Sequence, residues 1–165
     1  MAARRMETIA HQLLDASTLC AIATLSSRDM AHINTAYFAW DDDLNCVWLS
    51  HPAAVHSQNL RANPSVAVAV YDSHQSWGNS DRGIQLFGTA REVSGRAELD
   101  AKALYAKRFS AYAEDDLSAN RFYRFRPRRM KLFDEAVLGA GVFVTASIRG
   151  GKQIVWERTE RYPGD

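Results

Sequence analysis

Residues 47–70 read VWLSHPAAVHSQNLRANPSVAVAV, and the fold turns on how this stretch divides. Val47 to Leu49 completes an apolar strand, and Ser50 delivers a hydroxyl to the sheet edge. His51-Pro52 interrupts the sheet, because proline lacks an N–H and its fixed φ suits the first turn of a helix. Ala53 to Ala62 carries apolar Val55 and Leu60 among polar neighbours, which predicts a short helix. Asn63-Pro64 ends it, since the residue before a proline avoids the helical region. Ser65 to Tyr71 then sets Val66, Val68 and Val70 on one face against Ala67 and Ala69 on the other. Such a strand packs closely on both faces.

Upstream, Met6, Ile9, Ala10, Leu13 and Leu14 form a one-sided helical stripe, and Ser17-Thr18 breaks it. Leu19 to Leu25, Ala31 to Trp40 and Cys46 to Leu49 follow as extended runs. Ser26 to Asp29 and Asp41 to Asp43 separate them, so the three read as an antiparallel meander. Downstream, a polar loop from Asp72 to Asp81 holds a lone Trp77. Gly83 to Val93 is a strand in which Gly88 marks a bulge or a close backbone approach. Ser94 is read as the cap of a helix from Gly95 to Phe109, and Ser110 to Asn120 as irregular. Arg121 to Phe133 is extended and bent at Pro127, and Val142 to Ile148 and Gln153 to Trp156 are strands around Gly150-Gly151. The expected architecture is mainly β: a six-stranded antiparallel split β-barrel with peripheral helices. One domain of residues 1–165 is expected, with an N-terminal helix in 1–17 and a tail in 159–165.

Composition narrows the function classes. The chain has 165 residues, 47% hydrophobic and 24% charged, which is ordinary globular usage. A net charge of +1 supplies no global field toward nucleic acid or an anionic membrane. Two cysteines, Cys20 and Cys46, sit in apolar runs and read as buried thiols. Met1 to Leu14 contains Glu7, His11 and Gln12 and so lacks a signal-peptide core, and no run approaches a membrane span. A cytoplasmic protein without a membrane partner is expected.

The five histidines make no metal-ligand spacing, and no nucleophile elbow, phosphate loop or dinucleotide fingerprint occurs. No metal is expected, and catalytic side chains are not assigned. Arg121 to Lys131 packs six cations among Phe122, Tyr123 and Phe125. Strand alternation explains it as a buried aromatic face and a solvated arginine face, and the neutral chain argues against nucleic acid. The junction after Ser50 is the more informative place. A helix start there offers unpaired amides, with His56 and Ser57 in its first turns, which makes an anion site. Capping of that helix by Ser50 explains the same residues equally well.

The run His56-Ser57-Gln58-Asn59-Leu60-Arg61-Ala62-Asn63-Pro64-Ser65-Val66-Ala67 resembles the K-x-x-N-L-x-x-N-P-x-V-A run of the pyridoxamine 5'-phosphate oxidase-like flavin-binding split barrels. Arg82-Gly83-Ile84-Gln85-Leu86-Phe87-Gly88-Thr89-Ala90 is similar to the family's R-x-V-x-x-x-G-x-A strand. Pro127 through Asp134 is similar to its closing strand, and together the motifs span about residues 7 to 157.

The resemblance implies a homodimer with FMN at the subunit interface, acting as an oxidoreductase on a small molecule. It implies isoalloxazine contacts from the backbone of Asn34, Thr35 and Ala36, and ribityl-phosphate contacts from Leu49, Ser50, His56 and Ser57. Gln85 falls where members place a polar group near the flavin, and Trp77 is either an interface aromatic or a cover for the site. His56 replaces the family's phosphate-binding lysine, as in a short bacterial branch, so binding is expected to weaken as pH rises through the imidazole pKa. Asn34 stands where pyridoxamine phosphate oxidases have a flavin-binding arginine, and Ile154 to Arg158 does not match their C-terminal substrate motif. Vitamin B6 oxidation is therefore not expected. The alternatives are an F420-dependent reductase, a haem-binding split barrel with a histidine ligand, and a non-catalytic flavin-binding module.

Overall fold

The computed structural model describes residues 1–114, 117–150 and 153–162. Helix α1 (Ala3–Asp15) buries Met6, Ile9, Ala10, Leu13 and Leu14, the stripe its spacing predicts. The strands are β1 (Leu19–Leu25), β2 (Ala31–Tyr37), β3 (Ala39–Trp40), β4 (Cys46–Ser50), β5 (Ser65–Tyr71), β6 (Arg82–Glu92), β7 (Arg121–Asp134), β8 (Val142–Arg149) and β9 (Gln153–Arg161). Helices α2 (Val55–Ala62), α3 (Arg96–Arg108) and the single turn α4 (Glu135–Leu138) complete it, with a 3-10 turn at Ser110–Glu114.

All described strands belong to one antiparallel sheet, in the order β2-β1-β5-β6-β7-β4-β3. The split is at β7. Its first part, Arg121 to Phe125, pairs with β4, and Arg129 to Leu132 pairs with β8, which carries β9. Between the two, the β6–β7 register slips at Phe87/Gly88, with Gly88 opposite Pro127. A bulge is where a strand proline, lacking its N–H, is tolerated.

The split barrel stands, with nine strands rather than six. The expected run Ala31 to Trp40 breaks at Phe38, whose fully buried side chain and bond from its N–H to the Thr18 carbonyl end β2 and start β3. The hairpin β8–β9 joins the sheet and carries its last strand to Arg161, shortening the expected tail. Gly151, placed in the expected turn, and residues 163–165 of that tail lie outside the described residues, as do 115 and 116 of the irregular stretch. Ser94 does not cap α3; Gly95 holds that place at φ +59° with no side-chain cap, a conformation glycine adopts without a Cβ penalty. Helix α2 starts at Val55, because the His51 carbonyl accepts the Ala54 N–H and His51 Nδ1 accepts the Ala53 N–H in a preceding turn.

The main core fills the barrel with α1, Trp48, Tyr123, Phe125 and the valines of β5. A second cluster, with Val47, Phe122 and Tyr105, lies between β4–β7 and α3. Each apolar side chain of this size removed from water is worth about 1.5–3 kcal/mol, so both clusters matter to stability. Arg108 links the layers: it donates to the Phe38, Leu14 and Ser17 carbonyls and stacks over Phe38.

Candidate functional site

Pairing partners share a face of a sheet, so the register decides which residues can meet. Ile22, a core residue, is opposite Asn34, and Cys20 is opposite Ala36, so these two look into the barrel. Thr35 is opposite Ala21 and faces outward. Ala21 is opposite Ala69, and Ala69 opposite Gln85, which puts Gln85 on the same outer face as Thr35. Leu49 packs into the cluster under α3. Of the eight expected residues, Ser50 and His56 meet at the junction, and Ser57 is buried in the next position of α2. The Asn34 and Ala36 side chains lie on the inward face of β2, which touches β4 and α2, while those of Thr35, Gln85 and Leu49 lie on other faces. Alternation turns the Thr35 side chain away from those of Asn34 and Ala36 and leaves the backbone of all three on β2.

At the junction, Ser50 Oγ and His56 Nε2 are 2.7 Å apart. His56 is 5% exposed, and burial together with His32 beside it lowers its pKa from the ordinary imidazole value. The ring is therefore neutral at neutral pH and acts as a hydrogen-bonding group rather than a cation. Asn59 Nδ2 donates to Thr24 Oγ1 at 3.0 Å, both side chains buried, which clamps α2 onto β1. Ser57 is fully buried beside the Tyr123 phenol, whose pKa burial raises against a smaller opposing effect of the Ser57 hydroxyl, yet that hydroxyl makes no well-formed hydrogen bond.

Ser50 does not cap α2. Ala54 holds the cap position with no side-chain bond, and the first turn contains no acid. The amides and the positive end of the helix dipole are left for another acceptor. Among the described strands β2 pairs only with β1, which leaves its second edge open, and it touches both β4 and α2. Arg61 and Arg121 approach the same end of the barrel, both tied to Glu92 at 3.9 and 4.0 Å. Hydroxyls, free amides, a neutral imidazole and no competing carboxylate in the first turn of α2 fit the phosphate end of a flavin mononucleotide in kind.

His32 belongs to this site and was missed by sequence reasoning. It lies two residues before Asn34, on the same face, and that alternation is a signal that could have found it. Trp77 is wholly exposed in its loop. Among the described residues no group of three or more His, Cys, Asp or Glu side chains could hold a metal ion, and no helix is long and apolar enough to cross a membrane.

The comparisons agree with the fold. A haem-binding protein from Mycobacterium smegmatis superposes with a TM-score of 0.73 at 18% identity. The match covers 89% of this chain, which spans only 58% of that one. A Clostridium acetobutylicum protein related to general stress protein 26 of B. subtilis, of the pyridoxinephosphate oxidase family, superposes at 0.68 with 12% identity, over 90% of this chain and 97% of its own. An F420 reductase matches at 0.57 with 19% identity, over 73% and 94%. At such identities the likeness is one of fold. No curated protein matches in sequence. The model of the pyridoxamine 5'-phosphate oxidase family matches residues 6–134, most of the chain, in the same strand–helix–strand unit from which the site is built, and the chain belongs to that family.

Proposed function

We propose that the protein is a flavin-binding oxidoreductase of the cytoplasm that takes FMN at the junction of β2, β4 and α2 and acts on a small molecule. The uncapped, acid-free start of α2 carries this reading, set beside the Ser50–His56 pair and the open edge of β2. In it, Ser50 and the α2 amides bind the phosphate. His56 is fixed in orientation by Ser50 and offers its second ring nitrogen. The open backbone of β2 near Asn34 and Ala36 lines the ring. When bound, FMN supplies hydride transfer, and the protein supplies orientation and charge near the ring. A neutral His56 moves the expected pH dependence: binding stays level across neutral pH and changes only in acid, below the ordinary imidazole range.

The working unit in this proposal is a homodimer. Ala21, Ala23, Ala67 and Ala69 make a flat floor on the outer face of the sheet, and Ile33 and Phe87 stand exposed at its sides. An apolar face of this kind fits a second copy of the same face. Thr35 and Gln85 flank this floor and would lie at that interface, on the other side of the sheet from Ser50.

Titration of the purified chain with FMN, followed by flavin fluorescence, tests the site, and sedimentation tests the dimer. Saturable uptake is expected, weakened at least tenfold by Ser50→Ala. An absent uptake, or a haem spectrum in the purified protein, sinks the flavin reading. Ala69→Arg is expected to give monomers; an unchanged sedimentation coefficient removes this face from the interface.

A further inference from the structure

The cations of β7 divide into two sets. Arg121, Arg129 and Lys131 each have a carboxylate partner: Glu92 at 4.0 Å, Glu157 at 2.9 Å and Glu160 at 3.8 Å. Arg124, Arg126 and Arg128 have none among the described residues, and the Arg124 Nε is buried without a hydrogen-bond partner. These three, with Arg149 at the end of β8, line one cavity of about 690 Å³. It lies in the fork of the sheet, where β7 leaves β4 for β8 and the turn between β3 and β4 closes the third side.

Among the described residues, two acids share this cavity. Asp41 is committed to its own turn, accepting from the Asp43 and Asn45 amides and from the Asn45 side chain. Asp43 is exposed at the rim. Four guanidiniums thus face a space with one carboxylate already satisfied and one at its edge.

We propose that this fork is a second binding site, for a small anion carrying two phosphate groups. Guanidinium favours bidentate contact with phosphate oxygens, and four arginines without a carboxylate partner among the described residues exceed what one phosphate engages. The volume is that of a small-molecule pocket. Among the described residues no aromatic side chain lines it, so they offer no platform for stacked bases, and Asp43 at the rim repels a long polyanion. The site is separate from the junction at Ser50: the two lie at opposite ends of β4, roughly 15 Å apart at the usual strand rise.

The test is calorimetric titration of the whole chain with inorganic pyrophosphate and, separately, with a sugar bisphosphate. Arg126→Gln/Arg128→Gln is the variant, since both side chains are exposed and contribute no core contact. One probe is expected to bind with 1:1 stoichiometry per chain, more weakly as salt rises. The probe that binds more tightly identifies the source as inorganic or organic. The double variant is expected to lose at least tenfold in affinity while its melting temperature and FMN uptake stay unchanged. No binding of either probe at millimolar concentration overturns the proposal. So does binding that the double variant leaves intact, or a single-stranded oligonucleotide that binds more tightly than both probes.

Discussion

Replacing Gly88 by alanine probes the point on which the split barrel turns. An ideal Cβ at Gly88 would overlap the Arg126 carbonyl oxygen and lie 2.8 Å from Pro127 Cα. Both obstacles are backbone, so no side chain can swing aside. That backbone is held by β6 on one side and by β4 and β8 on the other, so it cannot move without disturbing three strand pairings. Overpacking a tight site costs about 1–3 kcal/mol, and backbone obstruction places this case at the upper end, about 3 kcal/mol. For a domain of this size each kcal/mol lowers the melting temperature by about 2–4 °C, so Gly88→Ala should melt about 6–12 °C below the wild type. Thermal unfolding followed by far-UV circular dichroism reads this directly. Gly150→Ala is the control, because its Cβ meets nothing within 4 Å, and it should stay within about 0.5 kcal/mol of wild type. A Gly88→Ala protein that melts within 2 °C of wild type would refute the close approach of β6 and β7 at the bulge.

Two further predictions concern buried groups. His56 has its pKa lowered in the folded state, first by burial and then by His32, so the unfolded chain takes up its proton first. Its contribution to stability is complete above the ordinary value of 6.5 and is lost as pH falls below it; urea midpoints should fall more steeply toward pH 5 in wild type than in His56→Gln, and parallel slopes would contradict it. Arg108→Met deletes bonds to the Phe38, Leu14 and Ser17 carbonyls and should cost about 3 kcal/mol in urea unfolding, whereas Arg96→Met, which loses an exposed pair with Asp100, should cost well under 1. Equal losses in the two variants would show that Arg108 is not a structural tie.

How far the sequence could be read depended on whether the deciding contact was local. The stripe of α1, the bulge at Gly88 and the buried aromatic face of β7 follow from periodicity and from single residues with one conformational use. Helix α2 starts two residues after the expected Ala53 because His51 satisfies two amides ahead of it, an interaction no propensity encodes. Ser94 looked like a cap for the same reason: residue type suggested it, and a neighbouring glycine with positive φ displaced it. The junction was found by its motif, but a motif gives positions and not faces. Only the pairing of β2 with β1, and of β1 with β5, shows that Thr35 and Gln85 share an outer surface while Asn34 looks inward.

The charge balance makes the same point about the fork. A formal charge of +1 describes a chain in which cations and anions cancel in number, not in place. The carboxylates that neutralise Arg129 and Lys131 come from β9, nearly thirty residues later, and reach them across β8 by way of the hairpin. That hairpin stops short of Arg124 and Arg126: β7 pairs with β8 only from Arg129 to Leu132, and Arg124 is opposite the uncharged Val47 of β4. The bulge of β6 on β7 lies beside this stretch, with Gly88 opposite Pro127 between Arg126 and Arg128. If Gly88→Ala shifts the register of β6 on β7, it should weaken binding of the two-phosphate anion along with stability. A loss of stability with that binding intact would separate the fork's geometry from its charge.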